Sequence, residues 1–227
     1  MKMNYLDYQL SSSSRKPEAI EWAETRHYNA PDQKNPRVLL VGDSICNGYQ
    51  GGVRNRLKDC VNISYWISSK CVTDQNYLRE LNYMLECYPY ELILFNNGCH
   101  SLTTDKKEWA EAYDKVLRFI QDKVPEAKLT IVSTTPLKIP ERNEIVKELN
   151  VITKAAAERH GIPVLDLFTP LDRLDREVYW ADCFHLKENG RELLADLVAE
   201  HIRSRMAVKH EAIVQQATET GPDGALK

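Results

Sequence analysis

The stretch Arg37-Val38-Leu39-Leu40-Val41-Gly42-Asp43-Ser44-Ile45-Cys46-Asn47-Gly48 decides how this chain is read. Four consecutive apolar residues running into a glycine predict a short strand buried on both faces, as in parallel sheets covered by helices. Ser44 then falls where strand turns into helix, and the free backbone N–H groups at a helix N-terminus favour developing negative charge there. Two other readings of such a turn fail. A phosphate-binding loop ends in Gly-Lys-Ser/Thr, and a Gly-x-Ser-x-Gly elbow needs glycine two residues after the serine, where this chain has Cys46. Taken alone, Ser44 reads equally as a serine that caps the following helix.

Working outward, Val61 to Ile67, Leu92 to Phe95, Leu129 to Val132 and Val164 to Phe168 read as four more strands. Between them, apolar residues recur at three and four positions. Asp74 precedes Tyr77, Leu78, Leu81, Met84 and Leu85, with a stop near Pro89. Asp105 opens a helix carrying Trp109, Ala112, Val116, Leu117 and Ile120. A helix from about Arg142 to His160 turns Ile145, Leu149, Ile152 and Ala156 inward and stops at Gly161 and Pro163. A last helix carries Leu193, Leu194, Leu197, Val198 and Ile202. The alternation predicts an α/β domain with a five-stranded parallel sheet, helices on both faces and ligands beyond the carboxyl ends of the strands. Residues 1–36 read as a polar N-terminal arm with one short helix from Pro17 to about His27 carrying Ile20, Trp22 and Ala23, residues 37–206 as the domain, and 207–227 as a flexible tail.

Composition narrows the function. Among 227 residues, 30 Lys and Arg face 33 Asp and Glu, a net charge of −3, so no basic field drives phosphate-backbone binding and nucleic acid is not an expected partner. A chain of this length buries about 70% of its extended surface on folding and needs no disulfide or metal staple. No apolar run approaches the ~18 residues of a membrane helix, and Met1 to Tyr8 lacks the apolar core of a secretory signal. The expectation is a soluble, cytoplasmic protein without a membrane partner. Six cysteines, Cys46, Cys60, Cys71, Cys87, Cys99 and Cys183, form no C-x-x-C pair and are expected as free thiols.

The second stretch with chemistry is Trp180-Ala181-Asp182-Cys183-Phe184-His185. A carboxylate three residues before an imidazole, in a turn, can accept from Nδ1 and leave Nε2 as a general base. Singly, Asp182 is an ordinary turn residue and His185 an ordinary surface histidine. The α/β topology brings the ends of the first and fifth predicted strands to one rim, which makes Ser44, His185 and Asp182 a candidate nucleophile, base and orienting carboxylate.

These two blocks, Gly42-Asp43-Ser44 near the start and Asp182 to His185 near the end, resemble those of the SGNH or GDSL hydrolases, over about residues 37–206. The resemblance implies a flavodoxin-like three-layer fold and ester hydrolysis with neither metal nor organic cofactor. It also implies an oxyanion hole, and here the sequence departs from the family. After the second predicted strand the family has a glycine that lends its N–H, whereas this chain reads Ile67-Ser68-Ser69-Lys70-Cys71, leaving the N–H of Ser69 or a neighbour beside that of Ser44. After the third the family shows Gly-x-Asn-Asp, whereas this chain reads Asn96-Asn97-Gly98-Cys99-His100-Ser101. Alignment on Gly98 puts His100 in the asparagine position, where an imidazole N–H can serve; Asn97 is the alternative if the loop shifts. Both also have ordinary loop-filling roles.

Tyr179 and Trp180 are candidates for an aromatic wall against a sugar ring or acyl chain, or else pack on the last helix. Lys70 and Arg142 are candidates for contact with an acidic substrate, or solvated surface cations. Cys46, Cys71, Cys99 and Cys183 lie beside the four blocks, and with His100 and His185 offer a metal or redox reading; against it stand the absence of metal-site spacing and the common use of buried cysteine as a small apolar filler. The resemblance implies a serine esterase acting on a short-chain, acetyl-type ester of a carbohydrate or other small molecule. The alternatives are a lysophospholipase or thioesterase, and a binding module that keeps the fold without hydrolysis.

Overall fold

The computed structural model describes residues 4–206; the tail expectation for 207–227 lies outside the described residues. In chain order the elements are β1 (Ala23–His27), β2 (Arg37–Gly42), α1 (Ser44–Leu57), β3 (Asn62–Ser68), α2 (Tyr77–Cys87), β4 (Leu92–Phe95), α3 (Lys106–Lys123), β5 (Lys128–Val132), α4 (Pro140–His160), β6 (Val164–Leu165), α5 (Phe168–Asp172), α6 (Arg176–Tyr179) and α7 (Glu188–Met206). Short 3-10 turns occupy Tyr5–Tyr8 and Cys99–Ser101.

The strands form one sheet in the order β1-β3-β2-β4-β5-β6, parallel except for β1, which pairs antiparallel with β3. The five parallel strands follow the flavodoxin-like order, in which the crossovers diverge on either side of β2 and open a crevice at its carboxyl end. The sheet therefore has six strands rather than five, and the expected helix from Pro17 to His27 is absent. Ala23 to His27 pairs instead with Ser68 to Ser64. This strand is polar, Ala-Glu-Thr-Arg-His, and sits at a sheet edge with much of its surface exposed; its pairing is decided by the open edge of β3 and not by its own pattern.

Alternation along β2 shows why the core run is continuous. Val38 and Leu40 point into one apolar layer with Val53 and Leu57 of α1 and Leu194 and Val198 of α7. Leu39 and Val41 point into the other with Leu81 of α2, Trp109 and Leu117 of α3 and Leu149 of α4. Each such side chain, fully buried, contributes roughly 1.5–3 kcal/mol relative to exposure. The helix punctuation follows its residues: Asp105 accepts from the N–H groups of Lys107 and Glu108, and Gly161 closes α4 in the left-handed region at φ 64°. Among the described residues no helix is long and apolar enough to cross a membrane.

The N-terminal segment lies along the domain. Tyr8 donates to Asp122 of α3 at 2.7 Å, and the Ser14 N–H donates to Glu108. The Arg15 side chain is only 3% exposed; its guanidinium reaches Asp74 at 2.5 Å, Glu21 at 3.2 Å and the Ser69 carbonyl at 3.0 Å. That cluster ties the segment to the loop between β3 and α2.

Candidate active site

Ser44 is the first residue of α1, directly past the end of β2. Asp43 is the helix cap: its Oδ1 accepts from the Ile45 N–H at 2.9 Å, which leaves the serine side chain free for other partners. Gly42 allows the turn, because a Cβ there would lie 2.6 Å from the Cβ of Cys46. The Ser44 N–H is one of the helix-leading donors that have no intrahelical acceptor.

The loop 181–185 is closed by a bridge between Trp180 and Leu186, with the Ala181 N–H donating to the His185 carbonyl at 2.8 Å. Inside it, Asp182 Oδ1 accepts from the N–H groups of Phe184 and His185, both at 2.8 Å. Its Oδ2 accepts from His185 Nδ1 at 2.8 Å, and Ser44 Oγ donates to His185 Nε2 at 2.9 Å. Partial desolvation pushes the Asp182 carboxyl up, but the two backbone N–H groups and the imidazole outweigh it and bring its pKa down to about 2. A carboxylate on Nδ1 requires the proton there, so Nε2 presents its lone pair to the serine hydroxyl. The site is open: the side chains of His185 and Asp182 are 46% and 54% exposed.

Two clefts flank Ser44 and His185. One, of about 340 Å³, is walled by Leu102, Ile145 and Phe184, with Glu18, His100, Thr103 and Arg142 among its charged or polar groups. The other, of about 350 Å³, is lined by Asn47, Gly48, Arg191 and Leu194. Of the sequence candidates for substrate contact, only Arg142 reaches a cleft, its guanidinium stacked 5.1 Å from the Phe184 ring centroid. Phe184 and Glu18 were not singled out by the sequence; Phe184 lies inside the Asp-x-x-His block itself, whereas Glu18 carries no local signal.

Four expectations are corrected. Trp180 is 1% exposed, donates from Nε1 to the Pro136 carbonyl at 3.1 Å and lies under the Arg176 guanidinium, so it is core and not a substrate wall. Tyr179 packs on the same apolar layer and lines neither cleft. Lys70 pairs with Glu80 at 3.2 Å, away from both clefts. The Ser69 N–H is already donated to the Trp22 carbonyl at 3.1 Å, because the N-terminal segment runs alongside it, and its hydroxyl is held by Glu21.

The two oxyanion alternatives separate as well. Asn97 is a staple between loops: its Oδ1 accepts from the Val72 N–H at 3.0 Å and its Nδ2 donates to the Lys70 carbonyl at 2.8 Å. His100 lines the same cleft as Ser44; its Nδ1 donates to Glu18 at 2.6 Å, and its Nε2 is buried without a partner. Cys46 and Cys99 line one small pocket beside Asp43, but among the described residues no three His, Cys, Asp or Glu side chains are grouped so as to hold a metal ion. Cys46 is buried with its thiol pushed up to about 12 by desolvation, Cys71 faces Ser101, and burial together with Asp43 raises Cys99. All six are free thiols.

No family profile matches the sequence, and no curated protein matches it. Solved structures do. An acetyl xylan esterase, AlAXEase, shares 18% identity over 73% of this chain and 99% of its own, with a TM-score of 0.62. A GDSL-like lipase of Bacteroides thetaiotaomicron shares 18% over 77% and 91%, with a TM-score of 0.58. A member of the lipolytic G-D-S-L family from Veillonella parvula shares 23% over 72% and 96%, with a TM-score of 0.61. With its sheet order, its layers and these likenesses taken together, the chain has the fold of the GDSL/SGNH hydrolases.

Proposed function

We propose that this protein is a serine esterase in which Ser44 is the nucleophile, His185 the general base and Asp182 the group that fixes the imidazole tautomer. One observation carries the reading: the unbroken hydrogen-bond chain from Ser44 through His185 to Asp182, at the head of α1 and at the carboxyl edge of the sheet. Ser44 Oγ attacks the ester carbonyl carbon while its proton passes to His185 Nε2. The carbonyl oxygen takes up the negative charge, facing the Ser44 N–H, the positive end of α1 and His100. His185 then gives the proton to the departing alcohol oxygen, leaving an acyl group on Ser44. Water entering on the same side loses a proton to His185 and attacks the acyl carbon; the bond to Ser44 Oγ then breaks, His185 returns the proton to that oxygen, and the acid leaves.

For the substrate we propose a short acyl group, of the acetyl type, on a carbohydrate or similar polyol. In support, the site is shallow and open, and structural neighbours include acetylxylan esterases. The apolar wall of Leu102, Ile145 and Phe184 suits the acyl side, and the more polar cleft along α1 and α7 suits the alcohol. The reaction would take place in the cytoplasm, where the six cysteines stay reduced.

Intact-mass analysis after incubation with a fluorophosphonate tests the reading. A single adduct on the wild type, lost in Ser44→Ala and His185→Ala, supports it; a folded wild type that takes no adduct overturns it. Parallel assays on acetylated xylo-oligosaccharides and long-chain esters test the substrate, and a strong preference for the long chain reverses that part.

A further inference from the structure

Arg142 reaches the cleft at Ser44, and the hydrolysis derived above gives it no part. Its guanidinium lies over the Phe184 ring, 5.1 Å from the centroid, and that same ring lies 6.4 Å from the His185 imidazole, whose Nε2 meets Ser44 Oγ at 2.9 Å. One aromatic side chain thus neighbours both the general base and the cation, and Ser44, Arg142, Phe184 and His185 all line the cleft of about 340 Å³.

The cation is unmatched. Among the described residues no carboxylate pairs with Arg142 and no hydrogen bond holds its exposed guanidinium; the contact it makes is with the Phe184 ring. The carboxylates nearby are already engaged, Glu18 with His100 Nδ1 at 2.6 Å and Arg15 at 3.9 Å, Asp182 with His185 at 2.8 Å. Arg142 also stands in the first turn of α4, the end of a helix at which a cation is disfavoured. Its charge therefore serves neither an ion pair nor its own helix. Stacking engages the face of a guanidinium and leaves the in-plane N–H groups, which form a fork matched to a carboxylate.

We propose that Arg142 is a specificity-determining residue that receives a carboxylate at the far end of the acyl group, so that the preferred ester is a half-ester of a short dicarboxylic acid, of the succinyl type. This rests on the esterase reading and narrows its short acyl group: acetyl is the case that leaves the guanidinium unmet. Leu102, Ile145 and Phe184 supply the apolar wall for the methylenes between the two ends of the acid. One guanidinium, in a cleft that also holds Glu18, suits the single charge of a carboxylate better than the nearly double charge of a phosphate monoester. The chemistry is the hydrolysis already described: ester and water give the dicarboxylic acid and the alcohol, and the second carboxylate takes no part in making or breaking bonds.

The test is ethanol release from two esters of nearly equal shape, monoethyl succinate and ethyl levulinate, the second carrying a methyl ketone in place of the carboxylate. The kcat/KM values are measured at pH 7 for the full-length wild type, Arg142→Ala, Arg142→Lys and Arg142→Glu, with fluorophosphonate labelling and thermal unfolding alongside. The readout is the ratio between the two esters, because damage to the fold or to the triad lowers both alike. Wild type is expected to favour the succinate by about tenfold, mostly through KM, the scale of a charge-assisted hydrogen bond. The ratio should fall to about one in Arg142→Ala, drop below that in Arg142→Glu, and lie between in Arg142→Lys, which keeps the charge without the fork. High salt should shrink the wild-type ratio, since the site is open to solvent. A wild-type ratio of one or less, or a ratio that stays within about twofold of wild type in Arg142→Ala, overturns the proposal. So does a preference that follows Arg142 only when the carboxylate sits on the alcohol, as in O-acetylglycolate. If wild type takes the fluorophosphonate and cleaves both esters without preference, only this inference fails; if it takes none and cleaves neither, the esterase reading falls and this inference falls with it.

Discussion

Ser44 and His185 are 141 residues apart in the chain, yet the serine hydroxyl donates to the imidazole across 2.9 Å. One sits at the head of α1 and the other in a loop that α7 follows, and the packing of those two helices sets their separation. Ser44→Ala and His185→Ala are each expected to lower kcat/KM by about 10⁴ or more while leaving the melting temperature within a few degrees, because neither side chain is part of the core. Steady-state kinetics and calorimetry on the same samples check this.

Asp182 makes a prediction on two axes. In Asp182→Asn the amide can still accept from the loop N–H groups, but its NH₂ faces Nδ1 and selects the wrong tautomer, so kcat should fall by about 10⁴. The carboxyl titrates near 2 instead of 3.8, a depressed value. Its contribution to stability is therefore fully present above 3.8 and is lost as the pH falls towards 2. Melting curves between pH 2 and pH 6 should fall less steeply for Asp182→Asn than for wild type.

Trp180 and Phe184 should behave oppositely. Trp180→Phe leaves the Pro136 carbonyl without its donor and trims a packed core side chain, for a cost of about 1–3 kcal/mol, with kcat/KM within about twofold. Phe184→Ala removes a cleft wall and should raise KM several-fold with little change in unfolding. Denaturant titration and saturation kinetics on the pair decide whether the substrate meets the residue in the loop or the one beneath it.

Gly98 is required by a close approach: a Cβ there would lie 1.8 Å from Thr134 Oγ1. Gly98→Ala should destabilise by about 1–3 kcal/mol and displace the loop that carries Asn97 and His100, lowering activity with it. Thr134→Ala in the same chain should restore part of both, as read by thermal unfolding and kcat.

Much of this architecture was legible along the chain, and what was not has physical reasons. The β2 run announced itself because a strand buried on both faces must be continuously apolar, and the helices did because one face of each is covered. Ser44, Asp182 and His185 could be found because a hydroxyl at a strand-to-helix turn and a carboxylate three residues before an imidazole are local patterns, and they do meet in space. β1 was illegible: an edge strand with two charged residues in five owes its conformation to a partner strand, Ser64 to Ser68, that lies beyond β2 and α1 in the chain. Trp180 stayed open between substrate wall and core packing because an aromatic side chain says nothing about which way its loop turns it, and the structure buries it. Ser69 failed because its N–H was claimed by Trp22, and no spacing reports a contact made by a segment read as a separate arm.

That edge strand bears on how the protein would behave if trimmed. A chain shortened to begin at Arg37, where the regular pattern starts, would bare the outer side of β3, Asn62-Ile63-Ser64-Tyr65-Trp66-Ile67-Ser68. This is seven buried, uncharged residues rich in β-branched and aromatic side chains, the composition that seeds edge-to-edge aggregation. In the whole chain the edge is closed by a short strand carrying Glu24 and Arg26, a poor template for a further strand. The strand Ala23–His27 thus stands as the sheet's gatekeeper, and its removal is expected to cost solubility before stability.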